Sequence, residues 1–288
     1  MSRSLACGLA LLGLLAVAMT ACGGGDKNDA TKSPTAAPAS ATAAGATPGS
    51  TAPGTPATGG DASAIEALIR RQTDANNNKD VDAFVAAFAE SYYADLGVSR
   101  DDARALVTTF IGVPQVDITS VSSIEVSGDR ATAQVDSNEG VFLSSEKYSF
   151  VREAGQWRVA KIDELPVQAD TANAVDMSLV EYSFAFDAGA LSDGEAVFNV
   201  RNNGAQAHEV ELLKLPAGAD AQGVRDREDL PAGVETVGLF GPLDPGESRV
   251  IAFSQKLAPG NYAVVCYLSD PSGQPHSAIG MVKDVTVN

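Results

Sequence analysis

Histidine is almost absent: His208 and His276 are the only two in 288 residues. Imidazole chemistry, whether acid–base or metal-binding, is therefore confined to two positions. Cysteine is nearly as scarce, and Cys7, Cys22 and Cys266 are too few for a disulfide scaffold. Basic residues are short as well, 20 Lys and Arg against 37 Asp and Glu, for a formal net charge of −17. That deficit excludes nucleic acid as a partner, because phosphate binding needs clustered Lys and Arg. It equally excludes a polybasic membrane-binding surface. Neither a P-loop nor a dinucleotide-binding fingerprint is present. Aromatics make up only 6%, yet the apolar fraction of 44% is ordinary, so cores can form. At about 150 residues per domain, the length suggests two domains.

The first residues read as an export signal. Arg3 is followed by an uncharged Leu- and Ala-rich run from Leu5 to Met19, too short to span a bilayer comfortably. It ends Met19-Thr20-Ala21-Cys22, before Gly23-Gly24-Gly25. This resembles a bacterial lipoprotein signal, 1–22, with Met19 where Leu is commoner. The resemblance implies that Cys22 is lipidated and becomes the first mature residue. Two acyl chains would give the stable anchoring that one does not. The expected location is the outer face of the bacterial cytoplasmic membrane or the periplasm, an oxidising compartment. Cys266 is then the one free thiol.

From Gly23 to Asp61 the chain is Gly, Ala, Thr, Ser and Pro with almost no large apolar residue. Such a segment cannot offset the entropy of ordering and is expected to be a disordered linker over 23–61. Its r.m.s. reach is roughly 35 Å.

A helical pattern starts at Ser63, with Glu66 at capping-box spacing and Ile65, Leu68 and Ile69 on one face. Asp80 is placed to cap a second helix, and Ser99 with Asp102 to open a third. After Pro114 the period changes to two, with a turn at Ser127-Gly128-Asp129 and a hairpin across Ala154-Gly155. Helices first and a meander after predict an α+β unit. The order, and the stretch from Tyr148 to Ile162, resemble the nuclear-transport-factor-2-like superfamily, a curved-sheet cone closed by helices. The resemblance covers about 62–166. Enzymes of that superfamily place Asp, His or Tyr in the cone. This stretch has no His, and Tyr92, Tyr93, Asp95 and Tyr148 are the candidate pocket residues. Tyrosines at such places are more often core or rim, so the cone is expected to hold at most a small ligand, with no catalytic residue assigned.

Pro166 to Ala174 reads as a joint, after which the chain is strand-like to the end. Strands are expected at Val175–Phe186, Ala196–Val200, His208–Leu215, Ser248–Phe253, Tyr262–Leu268 and Met281–Val287. Turns such as Asn202-Asn203-Gly204 and Asp244-Pro245-Gly246 separate them. Regularly spaced short strands predict an all-β Greek-key sandwich over 172–288.

Both histidines and the free thiol lie in this last segment, in the order His208, Cys266, His276, Met281. A type 1 copper site takes two imidazoles, a thiolate and a weak axial thioether. The pieces Asn203-Gly-Ala-Gln-Ala-His208, Gly260-Asn-Tyr-Ala-Val-Val-Cys266, and Pro275-His276 through Gly280-Met281 resemble the cupredoxins, the plastocyanin and azurin family. The resemblance implies His208 and His276 as equatorial ligands, Cys266 as thiolate and Met281 as axial ligand to one copper ion. Zinc suits the set less, because a thioether is a poor zinc ligand. Two features depart from the family. Nine residues separate Cys266 from His276, where small blue-copper proteins usually have two to four, and such a loop could hold His276 loosely. Glu209 follows the first His where many cupredoxins carry Asn, and it points either into the site's surroundings or out to solvent.

Three functions follow as expectations. The first is a tethered copper protein passing one electron to a redox partner. The region 171–288 carries 16 acidic and 7 basic residues, so the partner's docking face would be basic. The second is a copper-holding or sensing lipoprotein. The third is a metal-free module that binds a ligand or assembles with protein. A carrier or binding protein is expected rather than an enzyme.

Overall fold

The computed structural model describes residues 55–56 and 59–288. The export signal, Cys22 and most of the linker lie outside them. The chain opens with β1 (Thr55–Pro56), then α1 (Gly59–Asn77), α2 (Val81–Ala86), α3 (Glu90–Leu96) and α4 (Arg100–Val107). A meander follows: β2 (Val116–Ser127), β3 (Arg130–Glu139), β4 (Phe142–Glu153) and β5 (Gln156–Glu164). These form one five-stranded sheet in the order β1-β2-β3-β4-β5.

Helix α1 buries Ile65, Leu68, Ile69, Gln72, Thr73, Ala75 and Asn76, the i, i+3, i+4 stripe of a core-facing helix. It begins at Gly59, before the expected Ser63. Ser63 lies inside the helix, where its hydroxyl donates to the Gly59 carbonyl at 2.8 Å. The expected capping box is therefore absent there, and Glu66 pairs with Arg70 at 2.8 Å instead. The reason is tertiary. The Asp61 carboxylate accepts from Arg152 at 2.6 Å and from the Trp157 indole at 3.2 Å, which pins the first turn to the β4–β5 hairpin. Together with the pairing of Thr55–Pro56 to β2, this places secondary structure inside the expected 23–61 linker.

The other two caps are as the sequence predicts. The Asp80 side chain accepts from Ala83 N, and Ser99 and Asp102 form a reciprocal capping box. The hairpin turn at Ala154-Gly155 has φ of 49° and 78°, the positive pair that suits a two-residue connection. On the sheet's inner face Ala131, Ala133, Val135, Phe150 and Val159 pack against the helices.

The rest of the chain is β6 (Val175–Val180), β7 (Ser183–Ala185), β8 (Val197–Asn202), β9 (His208–Lys214), β10 (Glu235–Leu243), β11 (Ser248–Ala252), β12 (Gly260–Val265), a four-residue α5 (His276–Ile279) and β13 (Val282–Val287). Two four-stranded sheets result, β10-β9-β12-β13 and β11-β8-β6-β7. Met177, Leu179, Phe198 and Ile251 of one meet Val210, Leu212, Tyr262 and Val264 of the other in a shared apolar cluster. Only β6 and β8 run parallel; the other pairs are antiparallel. No helix among the described residues is long and apolar enough to cross a membrane.

Pro166–Ala174 is not the only connection between the helix-covered sheet and the paired sheets. The turn before β4 reaches across. Val141 N donates to Val237 O at 2.8 Å, Ser254 N donates to Val141 O at 2.9 Å, and Val141 and Phe142 belong to the paired sheets' apolar cluster. Two glycines permit the approach. Gly140 has φ +61°, and a Cβ there would lie 2.0 Å from Val237 O. A Cβ at Gly238 would lie 2.7 Å from the Phe142 ring.

Candidate metal centre

Strand register gathers the four residues. β9 and β12 pair antiparallel with Val265 opposite Glu211, so the residues after Val265 run toward His208. β12 and β13 pair with Val265 opposite Val282, which brings Cys266 beside Met281, and Cys266 N donates to Met281 O at 3.2 Å. His208 opens β9, Cys266 follows β12, His276 opens α5 and Met281 precedes β13. All four are buried.

The nine-residue loop is pinned rather than loose. Ser269 and Pro275 form an antiparallel bridge, and His276 N donates to Leu268 O at 2.8 Å. Inside it one Asp270 carboxylate oxygen accepts from Ser272 N, Ser272 Oγ and Gln274 N at 2.8, 2.6 and 2.9 Å. Ser277 N then donates to Cys266 O at 2.8 Å, and Met281 N to His276 O at 2.9 Å.

His208 Nδ1 lies 3.1 Å from His276 Nδ1, and Cys266 Sγ lies 3.4 Å from His276 Nδ1. Ligand atoms of all three residues lie within 4.8 Å of one another. The 3.1 and 3.4 Å edges are short enough for His276 to share one ion with His208 and with Cys266 at the nitrogen and thiolate bond lengths tabulated for zinc. Burial lowers the basicity of both imidazoles, and for His276, which also faces His208, the value falls to about 4. Two neutral imidazoles with their Nδ1 atoms 3.1 Å apart need a shared proton or a metal ion between them.

The surroundings orient the same atoms. His208 Nε2 has no hydrogen-bond partner, but it faces Glu181 Oε1 at 3.5 Å. That oxygen is itself fixed by the amides of Ala205 and Gln206 at 2.6 and 2.8 Å. His276 Nε2 lies 3.3 Å from Gln206 Oε1, and its ring packs 5.0 Å from the Tyr182 ring. A carboxylate or amide behind each Nε2 favours a proton there and leaves Nδ1 free as a ligand. Asn202, wholly buried, holds the turn before His208 by donating to Gln206 O and Leu243 O at 2.7 and 2.8 Å.

Glu209 points inward. It is buried, and its carboxylate accepts from Tyr267 N at 2.8 Å, which fastens the start of the ligand loop. Its backbone N–H points at Cys266 Sγ at 3.5 Å. Burial, then the Glu209 charge, pushes the Cys266 thiol well up, and a bound cation would reverse that.

The cone residues fare differently. Asp95 is exposed. Tyr92 and Tyr93 are packed among Phe84 and Phe88, and the Tyr93 hydroxyl donates to Val85 O at 2.7 Å. Only Tyr148 lines a cleft, alongside residues that sequence reasoning passed over: Gln72, Asn76, Glu139 and Glu146. A signal existed. Glu146 falls in phase with Tyr148 and Phe150, on the buried face of an alternating strand.

No family model matches the chain, and no curated protein matches it. Solved structures do. One is an NTF2-like protein of unknown function from Pseudomonas putida, at 17% identity over 41% of this chain and 94% of that one, TM-score 0.32. A putative dehydratase from the NTF2-like family from Streptomyces avermitilis is 16% identical over 38% and 98%, TM-score 0.31. An uncharacterised protein with a cystatin-like fold from Caulobacter vibrioides is 18% identical over 40% and 95%, TM-score 0.34.

Proposed function

We propose that the chain is a membrane-tethered, extracytoplasmic copper-binding lipoprotein, anchored through Cys22, whose second domain is a cupredoxin-like Greek-key sandwich working as a one-electron carrier. The convergence of His208 Nδ1, His276 Nδ1 and Cys266 Sγ in a buried cluster carries the reading. Copper supplies a Cu(I)/Cu(II) couple when bound. The chain's own part is to hold two imidazoles and a thiolate at set distances, with Met281 beside them, so that little needs to move between charge states. Burial excludes water, the Asn202 and Glu209 bonds fix the strand and loop ends, and Glu181 and Gln206 fix the ring faces.

A second reading, copper holding or sensing, is favoured by one observation. His276 is fully buried behind Gln206 and Tyr182, so its outer ring edge is not open to a docked partner. Copper titration with absorption and EPR spectra separates the readings. A carrier shows an intense thiolate-to-copper band with narrow hyperfine splitting and rapid exchange with a soluble redox partner. Cys266→Ser should abolish the band, and Met281→Leu should keep copper but raise its potential, because a weak axial donor is lost. Absence of copper uptake by the wild-type chain would end both readings.

A further inference from the structure

A cavity of 410 Å³ lies between β4–β5 and β10–β11, in the seam created by Val141 and Phe142. Its walls are largely apolar, with Phe142, Leu143, Leu165, Leu239, Phe240 and Val250 among them. Two carboxylates, Glu139 and Glu146, line both this chamber and the narrow cleft behind it under the helices. No ion-pair partner reaches either one among the described residues. Arg249, which also lines the chamber, is paired with Glu164 and Glu247. In the cleft, Gln72 is 4% exposed and its Oε1 has no hydrogen-bond partner.

We propose that this chamber binds a small organic cation, an ammonium whose apolar body fills the space between the sheets and whose charged head sits at Glu139 and Glu146, within reach of Gln72. The chemistry of the lining selects this class. Two carboxylates without a cationic partner and a buried amide oxygen without a donor line one cleft; Ser144 and Tyr148 give Glu139 and Glu146 neutral hydroxyl donors only. A primary ammonium carries three N–H donors and one positive charge. Leaving the buried Gln72 Oε1 unpartnered forfeits a hydrogen bond, which a donor recovers. A bare divalent ion would satisfy the carboxylates but leave the apolar chamber unused. Burial, and then the charge of Glu164, pushes Glu139 up to about 7; burial, and then the charge of Glu139, raises Glu146. Both shifts describe a site short of positive charge. None of the chamber's lining residues is one of the four proposed copper ligands, and the proposal does not rest on them.

The test is calorimetric titration of the full chain with hexylamine, benzylamine and phenethylamine, with hexanol and benzyl alcohol as neutral counterparts and calcium chloride as the bare cation. At least one amine should bind saturably at one site and at least tenfold more tightly than its alcohol. Glu146→Gln and Glu139→Gln should each weaken it at least tenfold, and Gln72→Leu severalfold, with near-UV circular dichroism unchanged. Val250→Phe, which fills the chamber without touching a carboxylate, should block the amine and serves as the second variant should a glutamate variant misfold. Binding of amine and alcohol alike would make the chamber merely apolar. Calcium binding without amine binding, or binding by none of the three amines, would equally overturn the proposal.

Discussion

Glu139 shows at the scale of one residue how position decides chemistry. Its carboxyl is held at about 7 rather than 4.5, first by burial and then by the charge of Glu164, and what surface it keeps faces the chamber. The folded chain therefore keeps a proton that the unfolded chain releases between those values. For such a group, stability is greatest at the acid side of the window and falls as pH rises toward 7. The full difference is at most about 3 kcal/mol. Glu146 on the same junction is raised in the same direction; Glu164 acts on both, Ser144 bonds to Glu139 and Tyr148 to Glu146. Glu139→Gln should flatten the loss of stability between pH 5 and 8 and leave the metal-free variant more stable than wild type at pH 8. Urea unfolding at four pH values measures this, and an unchanged slope would remove Glu139 as its source. The cluster of His208, Cys266 and His276 was legible at this scale because these are the chain's two histidines and its one cysteine beyond the N-terminal segment. Glu139 and Glu146 were not, since 37 acidic residues give no hint of which are buried.

Among the elements, those with local start and stop signals were readable and those defined by contact were not. The α4 capping box and the Ala154-Gly155 turn are examples of the first kind. Helix α3 went unread because its N-cap, Ala89, makes no side-chain bond, although Gly97 at φ +74° does close it. Strand β10 went unread because Gly238, Gly241 and Pro242 break its alternation. Those interruptions have a use, as Gly238 makes room for Phe142. The turn before β4 offers a clean comparison. Gly140 and Gly97 both have positive φ, so Ala at either pays about 1–2 kcal/mol for the backbone alone. At Gly97 a new Cβ meets nothing within 4 Å, whereas at Gly140 it meets the Val237 carbonyl that Val141 N uses. Gly140→Ala should therefore cost at least about 2 kcal/mol more than Gly97→Ala, because a buried backbone hydrogen bond is lost as well. Equal midpoints in denaturant for the two variants would mean that the seam contributes nothing to stability.

For the whole molecule, the seam alters what the Pro166–Ala174 joint implies. Read from sequence, that joint is the boundary between two domains. In the structure, the apolar cluster of the paired sheets includes Val141 and Phe142, and the Phe142 ring packs edge-on to Phe253 at 5.2 Å. Arg249 of β11 also pairs with Glu164 of β5. A chain cut at residue 172 keeps His208, Cys266, His276 and Met281 but loses the Phe142 side chain from its core. Removing a buried phenyl group costs about 3–5 kcal/mol, a large part of a small domain's stability. The fragment 172–288 should accordingly unfold at lower denaturant than the same sheets in the full chain, and Phe142→Ala in the full chain should lose a similar amount. Tyr262 fluorescence is not separable from the other tyrosines, so the two should be compared by hydrogen exchange at the amides of β9 and β12. A fragment whose β9 and β12 amides exchange as slowly as those of the intact protein would show that these sheets need nothing from the helix-covered one. Faster exchange in both the fragment and Phe142→Ala would place the seam among the elements that hold together the strands carrying His208 and Cys266.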